Sequence, residues 1–372
     1  MSRIDWTPLH AELHKILRQR SLSGRRECAS VSERDFASEE SCVAYGGNPA
    51  AQKGRSSSDD WKASLPHRAA LLLPPQARVL IAVSGGQDSL CLGKLLLDLS
   101  TKWHWQLAIA HCDHQWSTDR GIAERVSQVA ASWELPFYLQ VAGGLSETEA
   151  AARKWRYQAL IEIAQAEGYD YIVTGHTKSD RAETLLYNLI RGAGADGLAA
   201  LTWKRALTPE IDLVRPILSV YRHQTLEFCQ QFNLPVWFDA VNESDRYARN
   251  RIRRELIPYL QDRFNPQVEN SLAQTAEILR SDVEYLEMSA KKLLQNARQN
   301  DRLDRLCLQA APLALQRRAI RQFLPSVMSR QPNFEQIEAV VNLINAPNKS
   351  RTSSLPGGVI GEVLGQWIIF YS

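Results

Sequence analysis

A short apolar run, Val79-Leu80-Ile81-Ala82-Val83, is followed at once by Ser84-Gly85-Gly86-Gln87-Asp88-Ser89 and then by apolar residues at helical spacing over 90–99. No other feature of the chain constrains the fold as tightly. The run is uninterrupted and rich in β-branched residues, as a strand buried on both faces of a parallel sheet must be. Two glycines let the backbone turn sharply and present consecutive N–H groups. The hydroxyls of Ser84 and Ser89 and the positive end of the following helix add capacity for an anion. The turn therefore reads as a nucleotide site for ATP, formed by Ser84, Gly85, Gly86, Gln87, Asp88 and Ser89. Asp88 is the odd member, because a carboxylate beside phosphates repels them; a Mg²⁺ ion between the two removes the conflict. A ligand-free Ser/Gly turn is the competing reading, and the strand and helix on either side weigh against it.

Two better-known loops do not fit. Gly93-Lys94 is followed by Leu95 inside the expected helix, whereas a kinase-type P-loop needs Ser or Thr after its Lys at a fixed distance from the first Gly. Gly192-Ala193-Gly194-Ala195-Asp196-Gly197 matches the dinucleotide pattern, yet it follows a helical rather than a strand pattern, which removes its context.

With 372 residues the chain can bury a sizeable core in two or three domains. Its net charge of +3 is too small to argue for a polyanion partner by itself. No apolar segment is long enough to span a membrane, and the N-terminus lacks the apolar core of a signal peptide. The six cysteines are scattered without a C-x-x-C pair, which favours free thiols in a reducing cytoplasm.

Trp6, Leu9, Leu13, Ile16 and Leu17 predict an amphipathic helix within 1–20. Residues 21–70 lose the periodicity and read as a disordered or poorly ordered insertion. Over 71–257 apolar strands alternate with helices. Strands are expected at 106–110, 137–141, 171–174, 214–218 and 236–238, and helices at 121–133, 147–167, 180–191 and 221–232, with Ser146 as N-cap of the 147–167 helix. The alternation predicts an α/β fold with a doubly wound, mostly parallel sheet, whose ligands bind beyond the carboxyl ends of the strands. Residues 258–372 read as a smaller, mainly helical domain with a β-like end at 353–371.

The polar clusters all follow expected strands. His111-Cys112-Asp113-His114 closes the second. Imidazole and carboxylate there can hold Mg²⁺, orient ATP or move protons. Zinc competes as a reading, but four consecutive residues rarely all face one metal. His111 also suits a purely structural hydrogen bond, and Asp113 is the stronger functional candidate. Asp180 and Glu183 share one face of the first turn of a helix. Acidic residues there ordinarily answer the positive helix end; beside an ATP turn they form a negative pocket suited to an ammonium group or a metal. Arg153 and Arg156 lie three apart on one helix face and can clamp phosphates. Arg246, Arg249, Arg251, Arg253 and Arg254, interleaved with Tyr247 and Asn250, form a candidate RNA-backbone site, with a solvated basic face as the alternative.

The turn 84–89 resembles the loop of the ATP-pyrophosphatase superfamily. Taken in order, 84–89, 111–114, 149–157 with Glu149-Ala150-Ala151-Ala152-Arg153, 174–184, 191–198, Val214-Arg215-Pro216, Asp239 with Asn242, and Arg249-Asn250-Arg251-Ile252-Arg253 resemble the tRNA(Ile)-lysidine synthetase family over roughly 78–259. That resemblance implies an adenine nucleotide α-hydrolase-like fold and a ligase that forms a carbon–nitrogen bond. ATP would adenylate the C2 oxygen of the wobble cytidine in the CAU-anticodon isoleucine tRNA, and the ε-amine of L-lysine would then displace AMP. It places Asp88 near Mg²⁺ and pyrophosphate, Arg153 on phosphates, and the lysine substrate at Asp180 and Glu183. Arg249, Asn250, Arg251 and Arg253 fall to the tRNA, and a carboxylate, His111 or His176 to the amine's proton. A cytoplasmic location accords with it, and it admits a homodimer. The chain departs from the family at Ser179, where two adjacent acids are common, and at Gln115-Trp116-Ser117, which replaces the usual Gly-Leu-Arg. The alternatives are a tRNA thiolase, whose cysteine pattern is missing, and a non-catalytic RNA-binding relative.

Overall fold

Val79, Leu80 and Ile81 are fully shielded from solvent because their strand lies in the middle of a sheet. The computed structural model of the chain describes residues 6–26, 71–116, 120–146, 148–237 and 248–371. Within it the elements run α1 (Pro8–Arg26), β1 (Arg78–Ala82), α2 (Gln87–Trp103), β2 (Gln106–Asp113), α3 (Ile122–Ser132), β3 (Phe137–Val141), α4 (Glu149–Glu167), β4 (Tyr171–Thr174), α5 (Lys178–Ile190), α6 (Ala195–Leu198), β5 (Lys204–Ala206), β6 (Asp212–Val214) and α7 (Arg222–Gln231). After them come α8 (Ala248–Arg251), a π-helical turn (Ile252–Leu256), α9 (Ile257–Arg263) and α10 (Val268–Ala297).

The sheet order is β3-β2-β1-β4-β6-β5, parallel throughout except for the edge strand β5, which runs antiparallel to β6. This is the doubly wound α/β architecture. The chain leaves β1 toward β2 and β3 on one side, then returns to β4 and β6 on the other, so the crevice beyond the carboxyl end of β1 is a topological switch point. Successive side chains of β1 enter opposite cores, as the two-residue period of a strand requires. Val79 and Ile81 pack with Leu92, Leu96 and Val126 of α2 and α3, whereas Leu80 packs with Ala108, Leu160 and Ile163 on the α4 face. Helix α1 adds Leu9, Leu13 and Leu17 to the first of these cores. Its buried His10 meets Asp98 of α2 at 3.0 Å through Nε2.

Contacts divide the chain into two compact units, one of residues 1–183 and 201–270, the other of Thr184–Ala200 and Ser271–Ser372. The second unit contains most of α10, then β7 (Arg298–Gln299), β8 (Arg302–Asp304), α11 (Arg305–Gln309), α12 (Leu313–Phe323), α13 (Phe334–Leu343), β9 (Ile360–Leu364) and β10 (Trp367–Tyr371). Its strands form an antiparallel sheet of order β7-β8-β10-β9. Ile320, Phe323, Val340 and Ile368 lie in its core. Asp196, from the stretch that imitates a dinucleotide motif, pairs there with Arg318 (2.8 Å) and Arg321 of α12.

Several expectations need correction. The opening helix does not stop at residue 20 but runs to Arg26; residues 27–70 of the expected insertion lie outside the described residues, as do Asp239, Asn242, Arg246 and Tyr247. The strand expected at 214–218 is β6, which ends at Val214. Pro216 can donate no ladder hydrogen bond and restricts Arg215 before it. Val236 and Trp237 form no strand either. The Trp237 N–H donates to the Gly85 carbonyl (2.9 Å), so their apolar character covers the nucleotide turn rather than a sheet. The N-cap of α4 is Thr148, whose hydroxyl accepts from Ala151 N–H, and not Ser146.

Helix α2 carries Gly93 against the indole of Trp133, where a Cβ would lie 2.8 Å from Cζ3. Gly93→Ala is therefore expected to destabilise the first unit by about 1–3 kcal/mol through overpacking. A lowered midpoint in denaturant unfolding checks this; an unchanged or raised midpoint refutes the tight contact.

Candidate active site

The residues that follow β1 build an anion cradle. Gly85 has φ +86°, a conformation open to glycine but strained for other residues, and Gly86 opens α2 with no side chain capping its first turn. The N–H groups of that turn are thus left for a ligand. Ser89 donates to the Gly86 carbonyl (2.9 Å) and accepts from Ser84 N–H (3.2 Å), which closes the turn on itself. The loop after β4 touches it backbone to backbone: a Cβ at Gly175 would lie 2.8 Å from the carbonyl carbon and oxygen of Asp88 and 2.9 Å from Ser89 N.

A cavity of about 320 Å³ opens there. Among the sequence candidates, Ser84, Gly86, Gln87, Asp88, Ser89, His176, Asp180 and Arg253 line it. Others stand elsewhere. The turn's Gly85 packs toward Ile122 and Trp237. Buried His111 donates from Nδ1 to the Val83 carbonyl (2.7 Å) and so ties β2 to the end of β1. Asp113 accepts from Gln115 N–H (2.8 Å) and shapes the turn after β2. Gln115 adopts φ 62° there, the left-handed conformation that the family's usual glycine takes freely. Asn250 is buried and Arg251 exposed, so the basic segment does not present one continuous face.

One side of the site is acidic. Asp88 accepts from the Thr225 hydroxyl (2.5 Å) and lies 3.7 Å from Arg222, both on α7. Burial raises its pKa above the ordinary carboxylate value; Arg222 opposes this and Asp180 adds to it. Gln87 fixes the same helix by donating to the Arg222 carbonyl (2.7 Å) and to the Thr225 hydroxyl (3.1 Å). Ser179, where an acid is usual in the family, accepts from Arg222 N–H (3.2 Å), a task that any side-chain oxygen could perform. Asp180 accepts from the N–H (2.8 Å) and hydroxyl (2.7 Å) of Thr177. Burial works to raise its pKa, but His176, Arg222, the Thr177 N–H and Arg253 outweigh that and hold it low. Glu183, 3% exposed, takes a bidentate contact from Arg253 at 2.6 and 2.8 Å; Arg253 also comes within 3.6 Å of Asp180. The π-helical turn 252–256 contains Arg253, and the extra residue per turn rotates side chains relative to a continuous α-helix.

The other side is basic. Arg156 and Tyr157 of α4 line the cavity, and Arg153 lies over the Tyr157 ring at 5.3 Å. Between the two sides His176 bonds Thr174 Oγ1 through Nδ1 (2.9 Å). Burial holds its imidazole down to about 3, with Arg215, Arg153 and Arg156 acting the same way against Asp180. It is uncharged near neutral pH and a weak base in this state.

A family model described as a PP-loop domain matches residues 63–260. The tRNA(Ile)-lysidine synthase of a Nostoc species is 57% identical over 309 residues, covering 78% of this chain and 90% of that protein. The chain belongs to the tRNA(Ile)-lysidine synthase family. Its relative of the same name in a Synechocystis species is 55% identical, with 78% and 91% covered, and one from a Synechococcus species is 42% identical with 99% and 98% covered. Among solved structures, the U34-tRNA thiolase NcsA of Methanococcus maripaludis with its [4Fe-4S] cluster aligns with a TM-score of 0.50 at 16% identity, over 56% of this chain and 74% of that one. That likeness concerns the fold alone. Arg222, Gly175 and Tyr157 line the cavity, and Thr225 bonds Asp88, although motif reading gave none of them a role; Gly175 and Tyr157 stood inside recognised motifs.

Gly175→Ala must push apart two backbone segments that touch the nucleotide turn. It is expected to raise KM for ATP by at least about tenfold, the equivalent of an overpacking strain of roughly 1.4 kcal/mol or more. Steady-state kinetics over ATP checks this, and an unchanged KM would show that the loop shifts freely.

Proposed function

We propose that this chain ligates L-lysine to C2 of the wobble cytidine of the CAU-anticodon isoleucine tRNA, releasing AMP and pyrophosphate. The observation that carries this reading is the placement of Asp88 and Asp180 in one cavity with an open phosphate cradle. A phosphate site alone has no use for a second carboxylate; a cation substrate does.

The reaction divides into two displacements. In the first the C2 oxygen of the cytidine attacks the α-phosphorus of ATP, and pyrophosphate leaves with the electrons of the broken P–O bond. The N–H groups of the turn 84–89 and the α2 terminus hold the phosphates. Asp88 fits a Mg²⁺ ion: it is a carboxylate beside the phosphate cradle, with burial raising its pKa and its nearest guanidinium 3.7 Å away. Bound there, Mg²⁺ would neutralise charge on the leaving pyrophosphate.

In the second displacement the neutral ε-amine attacks C2 and the C2–O bond breaks, with AMP as the leaving group. Asp180 and Glu183 serve the lysine, which gains affinity from charge-assisted hydrogen bonds. Arg253 already neutralises Glu183, so Asp180 is the carboxylate that meets the ligand and Glu183 holds the arrangement through Arg253. The modified base changes decoding from AUG to AUA. Sulfur transfer is not favoured as a rival, since relatives at 42–57% identity carry the lysidine synthase name.

Incubating the protein with ATP, Mg²⁺, labelled lysine and the isoleucine tRNA transcript, with elongator methionine tRNA as control, is expected to label the isoleucine tRNA alone. No label with intact RNA and bound ATP would refute the activity. Asp88→Ala is expected to abolish adenylation, followed as pyrophosphate release. Glu183→Gln is expected to keep adenylation while lowering kcat/KM for lysine by about tenfold or more, because Arg253, no longer held by a charged partner, competes for Asp180; equal loss of both steps would overturn the lysine assignment.

A further inference from the structure

Four arginines converge on one phenol at the basic wall. The guanidinium carbons of Arg153 and Arg205 lie 5.3 and 5.2 Å from the ring centroid of Tyr157. Arg215 and Arg156 both act to lower the pKa of its hydroxyl, and Arg156 lines the same cavity. Only 2% of Arg215 is exposed; it donates to the Thr202 carbonyl (2.6 Å), and its Nε has no hydrogen-bond partner among the described residues. The groups acting most strongly on Arg153 and Arg215 are Tyr157 and further arginines, with no carboxylate among them. This differs from the acidic wall, where Arg222 and Arg253 both face carboxylates.

Guanidiniums gathered together repel one another, so an anion placed among them is stabilised by all of them. The effect of the cluster is visible on the phenol. Burial works to raise the pKa of Tyr157, yet Arg153, Arg215 and Arg156 outweigh it and hold the group below its ordinary value. From that cavity the cluster extends toward the sheet edge. Arg205 lies on β5 and Arg215 directly follows β6, and β6 is the second strand from β1, roughly 10 Å across the sheet. Arg205 is exposed at the sheet edge, where the backbone of a large ligand can reach it.

We propose that Arg153, Arg205 and Arg215, gathered around Tyr157, form a second anion subsite that takes a phosphodiester of the RNA substrate while the turn 84–89 takes ATP. The subsite rests on the tRNA reading above. Tyr157 is its positioning residue: its ring carries two of the guanidiniums. Separate cationic sites for the two polyanions let the cytidine approach the α-phosphorus without bringing the RNA backbone against the triphosphate.

Arg205→Gln is the primary test, because the side chain is exposed and its loss opens no core cavity. Transcript affinity across a salt series and KM for ATP are measured on the same preparations of wild type, Arg205→Gln, Arg205→Lys, Tyr157→Phe and Tyr157→Leu. Arg205→Gln is expected to weaken RNA binding about tenfold, to reduce the slope of log K against log salt by about one, and to leave KM for ATP within about twofold. Arg205→Lys restores the slope, because the charge remains. Tyr157→Phe keeps the slope through its ring, whereas Tyr157→Leu reduces it as Arg205→Gln does. A raised KM for ATP with unchanged RNA affinity would reassign the cluster to the triphosphate, and no change in either would leave Arg205 a solvated side chain; both overturn the proposal. Wild-type protein that neither binds nor modifies the transcript would instead refute the functional reading itself.

Discussion

Two loops at neighbouring strand ends touch through their backbones, and the site depends on that contact. Strands β1 and β4 are paired with Ala82 opposite Thr174, so the chains that leave them emerge side by side, about 4.8 Å apart. At Gly175 no room remains for a side chain against Asp88 and Ser89. The contact brings His176 and Asp180 to the same cavity as the phosphate cradle. It also sets Asp180 near enough to Asp88 to raise the latter's pKa. Helix α7 then braces the arrangement from the other side, with Thr225 on Asp88 and Ser179 on the first N–H of the helix.

The sequence announces local features of this design more clearly than distant ones. The β1 run, its turn and α2 are contiguous, so their periodicity and glycines identify them directly. Asp180 and Glu183 are legible for the same reason, being three apart on one helix. Thr225 is 137 residues from Asp88, and no spacing rule connects them; only the packing of α7 on α2 does. The π-helical turn is equally hidden, because its stretch reads only as a basic cluster and the extra residue that redirects Arg253 leaves no mark in composition. His111 shows the opposite error. Its residue type and strand-end position suggest chemistry, while its short bond to the Val83 carbonyl serves the sheet.

The cavity is thus divided by charge, with carboxylates toward α5 and α7 and guanidiniums toward α4 and β6. Neither wall is neutral alone. Three carboxylates, Asp88, Asp180 and Glu183, meet two guanidiniums on the acidic wall, and the arginines around Tyr157 meet none among their strongest influences. Such walls stabilise ligands of opposite sign and disfavour those of the same sign by several kcal/mol where water is excluded, roughly 4 kcal/mol for a pair at 4 Å in an effective dielectric of about 20.

That division decides which nitrogen of the proposed lysine substrate can react. A carboxylate favours the charged form of an amine beside it, so in the proposed reaction an amine at Asp180 would stay an ammonium and could not be the nucleophile. That place suits the α-amino end. The side chain then carries the ε-amine away from the acidic wall toward Arg153 and Arg215, whose positive field disfavours protonation there, in the way that neighbouring cations lower the pKa of reactive lysines. The basic wall therefore has two effects on the proposed reaction. It attracts a phosphodiester of the RNA, and it favours loss of the proton from the amine that attacks, which lightens the task of any general base.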